Sequence, residues 1–282
     1  MVGVLGVSAS AILVRFSQAP SGVTAAYRLG WTVLLLLPVV LLRCRAELRR
    51  VTARDLVLCG ASGVLLALHF LTWFESLKRT SVASSTVLVS TEVIFTALGF
   101  ALFLHGKIPR LGVWAILLAF GGSALLALSG GGGAGELSGN LLALAAASAA
   151  AVYTLIGRIQ RGHLSTTVYT FLTYLACFLT LLLGTAAAGT PLTGYGGREW
   201  LIGLALAVLC TLLGHSLFSW CLKYLSPSYV SAAKLCEPVF SSLAAIPLFG
   251  EVPGPLQLAA GAAVLGAVLL YTWAEREKTP AG

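Results

Sequence analysis

Ten apolar runs, most of them long enough to cross the ~30 Å hydrocarbon core of a bilayer, follow one another along this 282-residue chain. They cover approximately residues 2–16, 23–42, 55–77, 82–104, 111–128, 137–156, 166–187, 200–222, 229–249 and 255–271. The runs are unbroken rather than alternating with period two, so they read as helices and not as barrel strands. With 58% hydrophobic residues, 10% charged residues and a mean hydropathy of +0.93, almost no soluble mass remains outside them. The expectation is an all-α integral membrane protein. No Lys or Arg precedes the first run and Arg15 stands at its far end, the wrong polarity for a secretory signal, so that run reads as helix one.

The same pattern is written twice. A shift of 145 residues superimposes Leu77, Lys78 and Ser81 on Leu222, Lys223 and Ser226 without a gap. The same shift superimposes Glu92, Phe95 and Leu98 on Glu237, Phe240 and Leu243. It also matches Leu68 with Leu213, Leu111 with Leu256, Gly121 with Gly266 and Leu125 with Leu270. The glycine cluster at 130–133, continuing through Gly135, reads as a linker over 131–136 between two units of five helices each, 1–130 and 137–282. A unit with an odd number of crossings must lie upside down relative to its copy. The chain is therefore expected to be an inverted repeat of ten transmembrane helices, the architecture of secondary transporters that rock about a shared central site.

A net charge of +8 suggests a nucleic-acid surface until the basic residues are placed on this topology. With the N-terminus inside, twelve fall on the cytoplasmic side: Arg43, Arg45, Arg49, Arg50, Arg54, Lys107, Arg110, Arg158, Arg161, Lys223, Arg276 and Lys278. Four, Arg15, Lys78, Arg79 and Arg198, fall outside. The positive-inside rule accounts for that excess in a multi-pass protein of the inner or plasma membrane with both termini cytoplasmic, and no nucleic-acid partner is needed. Arg28 and Lys234 lie within helices and need another explanation. Six scattered cysteines, without a C-x-x-C pair or a histidine at zinc spacing, read as small buried residues and not as a metal site or a disulfide framework. No cofactor is implied.

Glu92 and Glu237 fall near the middle of helices four and nine. An ionised carboxylate there costs about 2.5–3.5 kcal/mol on insertion scales, so each should be paired, protonated or facing water. Ser85, Glu92, Thr96 and Gly99 share one face of helix four, and Lys234, Glu237 and Ser241 share one of helix nine. Two polar stripes at related positions suggest the walls of a central cavity. Alternatively, Lys234 and Glu237, three residues apart, pair with each other and touch no substrate. Glu92 has no local partner and could meet Arg28 or Lys234 across the cavity, or carry a proton, the one state that would suit proton coupling.

His69 with Trp73 on helix three, and His215 with Ser219 and Trp220 on helix eight, read either as substrate or proton contacts or as neutral imidazoles bonded to neighbouring helices. Glu75 is placed to meet Arg79 or solvent. Pro238, directly after Glu237, gives helix nine a candidate gate.

With these residues in hand, the chain resembles the drug/metabolite transporter superfamily, in particular its EamA branch of ten-helix carriers. The resemblance rests on LHFLTWFESLKRTSVASS from Leu68 to Ser85, GHSLFSWCLKYLS from Gly214 to Ser226, CEPVFSSL from Cys236 to Leu243, and the Phe249, Gly250, Glu251 end of helix nine. AAYRLGW around Arg28 is similar to the basic start of helix two in such proteins. The resemblance implies that helices one to four and six to nine surround a central cavity, that five and ten are peripheral, and that a small polar or amphipathic metabolite is moved, by default outward. Two departures stand out. Val93 follows Glu92 where relatives commonly carry proline, so matched bending of the halves is not expected, and Lys234 stands where an apolar residue would be usual.

The reading is therefore a non-enzymatic carrier working by alternating access. Substrate would contact Tyr27, Arg28, His69, Trp73, Glu92, His215, Ser219, Trp220, Lys234 and Glu237, with Pro238 as gate. Its partners are a small-molecule substrate and the lipid bilayer; proton coupling and homodimerisation stay open. A channel or lipid scramblase on the same fold is the alternative, although buried charges suit a binding site better than a conducting pore. A remoter alternative is an intramembrane serine hydrolase using Ser62 of the Gly60, Ala61, Ser62, Gly63 string with His215 as base.

Overall fold

The computed structural model describes residues 2–103, 108–128, 134–225, 227, 230, 234 and 236–276, and all their regular structure is helical. Helix α1 (Val2–Phe16) leads into α2 (Ser21–Arg43), the short α3 (Arg45–Leu48) and α4 (Ala53–Arg79). The next apolar run is two pieces, α5 (Val82–Val89) and α6 (Glu92–Phe103), and α7 (Arg110–Leu128) closes the first half. The second half comprises α8 (Ala134–Gln160), α9 (Thr166–Ala187), α10 (Gly197–Ala205), a π-helical segment (Leu206–His215), α11 (Ser216–Cys221), α12 (Cys236–Phe249) and α13 (Pro255–Arg276). Seven of the described helical stretches are long and apolar enough to cross a membrane, and three shorter apolar helices, Gly6–Phe16, Arg110–Leu125 and Glu237–Phe249, accompany them. The chain is a multi-pass membrane protein.

Local chemistry sets the boundaries. Thr52 and Asp55 form a reciprocal capping box at the start of α4, and the Ser81 and Ser165 hydroxyls accept from the backbone N–H groups of Ser84 and Val168 to start α5 and α9. Pro20 precedes α2 and Pro255 opens α13, positions where a missing N–H costs nothing. Large apolar side chains such as Leu42, Phe103, Trp114 and Leu183 point outward, as a surface solvated by acyl chains requires. The interior is instead lined by small residues and aromatics. Ala143, Ala146, Ala147, Ala150 and Ala151 of α8 are buried, and α8 packs most extensively against α4. A Cβ on Gly63 would lie 2.5 Å from the Ala176 Cβ and 2.6 Å from the Thr173 carbonyl oxygen, so the contact between α4 and α9 depends on a bare backbone there.

Two faces follow from the loops. At one, Ser17 donates to Glu199 at 2.6 Å, Ser21 to Glu75 at 2.9 Å, and Arg15 reaches the end of α4. At the other, Gln160 meets Asp55 at 3.2 Å and the Ser165 N–H meets Glu47 at 2.6 Å. They are called the Arg15 face and the Arg158 face below.

Several expectations are refined. The first and seventh runs match α1 and α9 end for end. Helix four is broken at Ser90 and Thr91 despite lacking proline. Ala134 to Glu136, expected to be linker, form the first turn of α8, whereas the linker glycines 131–133 lie outside the described residues. Pro238 is the third residue of α12, so it falls in the first turn and cannot kink the middle of that helix; the internal proline is Pro247. Glu75 pairs with Arg79 at 2.8 Å.

Candidate functional site

The break between α5 and α6 delivers Glu92 to the first turn of a new helix, and Glu237 occupies the first turn of α12. A carboxylate there meets the positive end of the helix dipole, which eases its burial. Glu92 is buried and bound on two sides. The Lys234 ammonium donates to its Oε1 at 3.1 Å and its Oε2 at 3.0 Å, and the Thr154 hydroxyl of α8 donates to Oε1 at 2.9 Å. Lys234 also lies over the Phe218 ring, 5.5 Å from its centroid. The ion pair thus runs from Lys234 to Glu92 across 142 residues, not to Glu237 three residues away.

Arg28 of α2 is completely buried. Its Nε donates to Thr211 Oγ1 at 2.7 Å, its Nη1 to Ser10 Oγ at 3.1 Å, and its guanidinium lies 4.2 Å from the centre of the Phe70 ring. Thr211 sits in the π-helical segment and donates to the Leu206 carbonyl five residues back at 3.2 Å. Such π turns recur at functional sites because they re-aim side chains.

An aromatic layer extends from the Phe70 ring beneath Arg28. Phe70 and His215 meet edge to face at 5.5 Å, His69 and His215 at 6.4 Å, and His69 stacks on Trp73 at 5.7 Å. Tyr153 lies 6.4 Å from His215 and shares a 3.2 Å hydrogen bond with Ser219. The Nδ1–H of His69 donates to the Ala146 carbonyl at 3.0 Å, which leaves Nε2 of that ring free to accept.

Four atoms of this region have no hydrogen-bond partner among the described residues: Arg28 Nη2, Trp73 Nε1, Thr96 Oγ1 and Glu237 Oε1. Buried polar groups in apolar surroundings normally find partners, so two orphan donors and an orphan carboxylate oxygen in one region mark a place a polar ligand could complete. Glu237 lies within electrostatic reach of Lys234, Glu92 and Arg28.

Of the residues expected to meet substrate, the structure brings together Arg28, His69, Trp73, Glu92, His215, Ser219, Lys234 and Glu237. Two lie elsewhere. Trp220 is 49% exposed and packs on Tyr224 at 5.1 Å. Tyr27 stacks on Trp200 at 4.0 Å, donates to the Leu192 carbonyl and lines an apolar cavity of about 230 Å³ near the Arg15 face. Pro238 lines a separate cavity of about 290 Å³ between α5, α12 and α13. Ser62 shares a 2.9 Å hydrogen bond with the Tyr169 hydroxyl and not with His215, so the nucleophile and base of a hydrolase do not meet. Sequence reasoning missed Thr154, Phe70 and Tyr153, polar or aromatic residues with no charge to draw attention.

A family model described as the EamA-like transporter family matches residues 1–128 and 137–273. The chain is 24% identical over 207 residues to the pseudopaline exporter CntI of Pseudomonas aeruginosa (strain UCBPP-PA14), a match covering 73% of this chain and 72% of that protein. It is 27% identical over 167 residues to the threonine/homoserine exporter RhtA of Escherichia coli (strain K12), covering 59% of this chain and 56% of that one. A protein of solved crystal structure shares the fold, with a TM-score of 0.69 and 19% identity over 96% of this chain and 94% of its own.

Proposed function

The chain belongs to the EamA-like transporter family, and from that premise we propose that it is a secondary-active carrier exporting a small zwitterionic metabolite by alternating access. Relatives named as exporters of threonine, homoserine and pseudopaline support outward transport. One observation carries the substrate class. Among the described residues, a guanidinium nitrogen of Arg28 and a carboxylate oxygen of Glu237 have no hydrogen-bond partner in this buried cluster, so a ligand carrying both a carboxylate and an ammonium group would satisfy both. The Lys234–Glu92 pair then keeps the surroundings neutral, and His69, Trp73 and Tyr153 supply the walls.

The ten-helix inverted repeat is part of this reading. Packing of α4 on α8 has its counterpart in α1 on the π segment, and α7 packs on α13, as a twofold exchange of halves requires. Glu92 and Glu237, equivalent under the 145-residue shift, both fall in the first turn of a helix, α6 and α12. By the positive-inside rule the Arg158 face, with Arg43, Arg45, Arg49, Arg50, Arg54, Arg158 and Arg161, is cytoplasmic, in the inner or plasma membrane. Glu237, with one carboxylate oxygen unpartnered among the described residues, is the group we assign to proton exchange if transport is proton-coupled.

A thermal-shift screen of purified protein against amino acids tests the proposal, because a ligand that binds only the folded state raises Tm. A shift that disappears in both Arg28→Met and Glu237→Gln supports it; a shift retained by both places the ligand elsewhere.

A further inference from the structure

The two faces of the molecule are tied by the same device. At the Arg15 face, Nη1 of Arg15, in the last turn of α1, donates to the carbonyls of Leu77 and, at 3.5 Å, Thr80. At the opposite face, Nη1 of Arg158, in the last turn of α8, donates to the carbonyls of Leu222 at 2.6 Å, Lys223 at 3.3 Å and Leu225 at 3.4 Å. Under the 145-residue shift, Leu77 falls on Leu222 and Thr80 on Leu225, so both acceptors of Arg15 have an equivalent among the three of Arg158. The donors differ by two positions, because Arg15 falls on Gln160. Each acceptor set comprises carbonyls at the C-terminal end of a membrane helix, which lack intrahelical partners and carry the negative end of the helix dipole. In each case the guanidinium comes from a different helix. The contact is therefore a tie between two helices and not a local cap.

The ties are unequal. Arg15 Nη2 also pairs with Glu251 Oε1 at 2.7 Å, and the other oxygen of Glu251 accepts from the Val82 N–H at 2.7 Å, at the start of α5. One carboxylate thereby joins α1, α5 and the loop between α12 and α13. The position equivalent to Glu251 is Gly106, so sequence supplies no matching carboxylate for Arg158.

We propose that Arg15 and Arg158 are the latches of the two gates, released in turn, and that Glu251 makes the Arg15 latch the stronger. The structure holds both ties at once, the occluded intermediate of such a cycle, and outside it the protein rests open at the Arg158 face. This inference rests on the carrier reading above, and on the orientation given there the resting state opens to the cytoplasm, where an exporter must load. A charge-assisted bond is roughly twice as strong as a neutral one, so loss of the Glu251 contact should change the ratio of the two open states by about tenfold.

The test is a pair of spin-label distances in the full chain reconstituted in nanodiscs, with the native cysteines replaced by alanine. Labels at Gln18 and Val252 span the Arg15 face, and labels at Gly162 and Tyr224 span the Arg158 face. In the wild type, the Arg158-face distance should be mainly long and the Arg15-face distance mainly short. Glu251→Gln and Arg15→Gln should move about tenfold more molecules to the long Arg15-face distance, while Arg158→Gln should shift the balance the opposite way. A residue that merely stabilised the fold would lower Tm without moving the two distributions in opposite senses. A wild type that alternates, with distributions indifferent to all three substitutions, overturns the latches and leaves the carrier reading intact. A wild type with one unvarying distance at each face overturns both.

Discussion

Lys234 places its ammonium 3.0 and 3.1 Å from the two carboxylate oxygens of Glu92, joining the two halves of the chain at the start of α6. The pair is largely shielded from solvent, and its partner Thr154 comes from a third element, α8. An ion pair of this kind resists removal of either member, because the survivor is left as an uncompensated buried charge. Lys234→Ala should therefore destabilise the protein by about 3 kcal/mol. The Glu92→Gln, Lys234→Met double variant, which removes both charges, should recover most of that loss. Denaturation of these two variants and the wild type in detergent measures the loss and its recovery; a Lys234→Ala protein as stable as the wild type would show that the pair is not formed.

Glu237 behaves differently. One of its carboxylate oxygens has no hydrogen-bond partner among the described residues, so replacing it by an isosteric amide removes the burden of an unsatisfied buried carboxylate. Glu237→Gln should fold with an unchanged or raised Tm and yet lose transport. A Tm lowered by several degrees would mean that Glu237 serves structure rather than ligand.

How far the site was legible differs from residue to residue. The apolar runs placed α1 and α9 end for end, and the duplicated pattern singled out Glu92 and Glu237, because period and repetition are properties of the chain alone. The break at Ser90 and Thr91 was not legible. No proline marks it, and the ion pair that fixes Glu92 comes from 142 residues away. Trp220 shows a misreading that phase alone could have prevented. Five residues beyond His215 on an α-helix it lies roughly 140° away, whereas Ser219, four residues on, returns to the same side. The observed pattern agrees: Ser219 bonds Tyr153 and Trp220 faces outward. The latches of Arg15 and Arg158 were invisible because their acceptors are main-chain carbonyls, which leave no trace in residue identity.

Arg28 gives up several contacts when replaced, but its buried charge is also costly to keep. Arg28→Met retains the length of the side chain, and Thr211 already donates to the Leu206 carbonyl. Its stability should therefore change by no more than about 1 kcal/mol. Affinity for a zwitterionic ligand should fall at least roughly tenfold, since a charged hydrogen bond is lost. Ligand titration by calorimetry distinguishes this outcome from a purely structural role, in which stability falls and the affinity of the folded fraction is kept.

Gly63 tests the packing of α4 on α9. A Cβ there would collide with the Thr173 carbonyl oxygen and the Cys177 nitrogen, at 2.6 and 2.7 Å, and backbone cannot step aside. Gly63→Val should cost about 1–3 kcal/mol and lower Tm. Gly184→Val at the other end of α9, where nothing stands within 4 Å of the added carbon, should be nearly neutral. Equal effects at the two positions would remove the argument for close helix approach.

The most direct measurement of the central claim is counterflow in proteoliposomes, with a panel of unlabelled amino acids inside and the matching labelled compound outside. The account predicts saturable accumulation of at least one zwitterionic compound by the wild type, and a loss of about a hundredfold or more in both Glu237→Gln and Arg28→Met, each of which removes a charged hydrogen bond to the substrate. Counterflow at the wild-type rate in both variants would contradict it, because a carrier indifferent to those two groups does not bind its substrate where the buried charges meet.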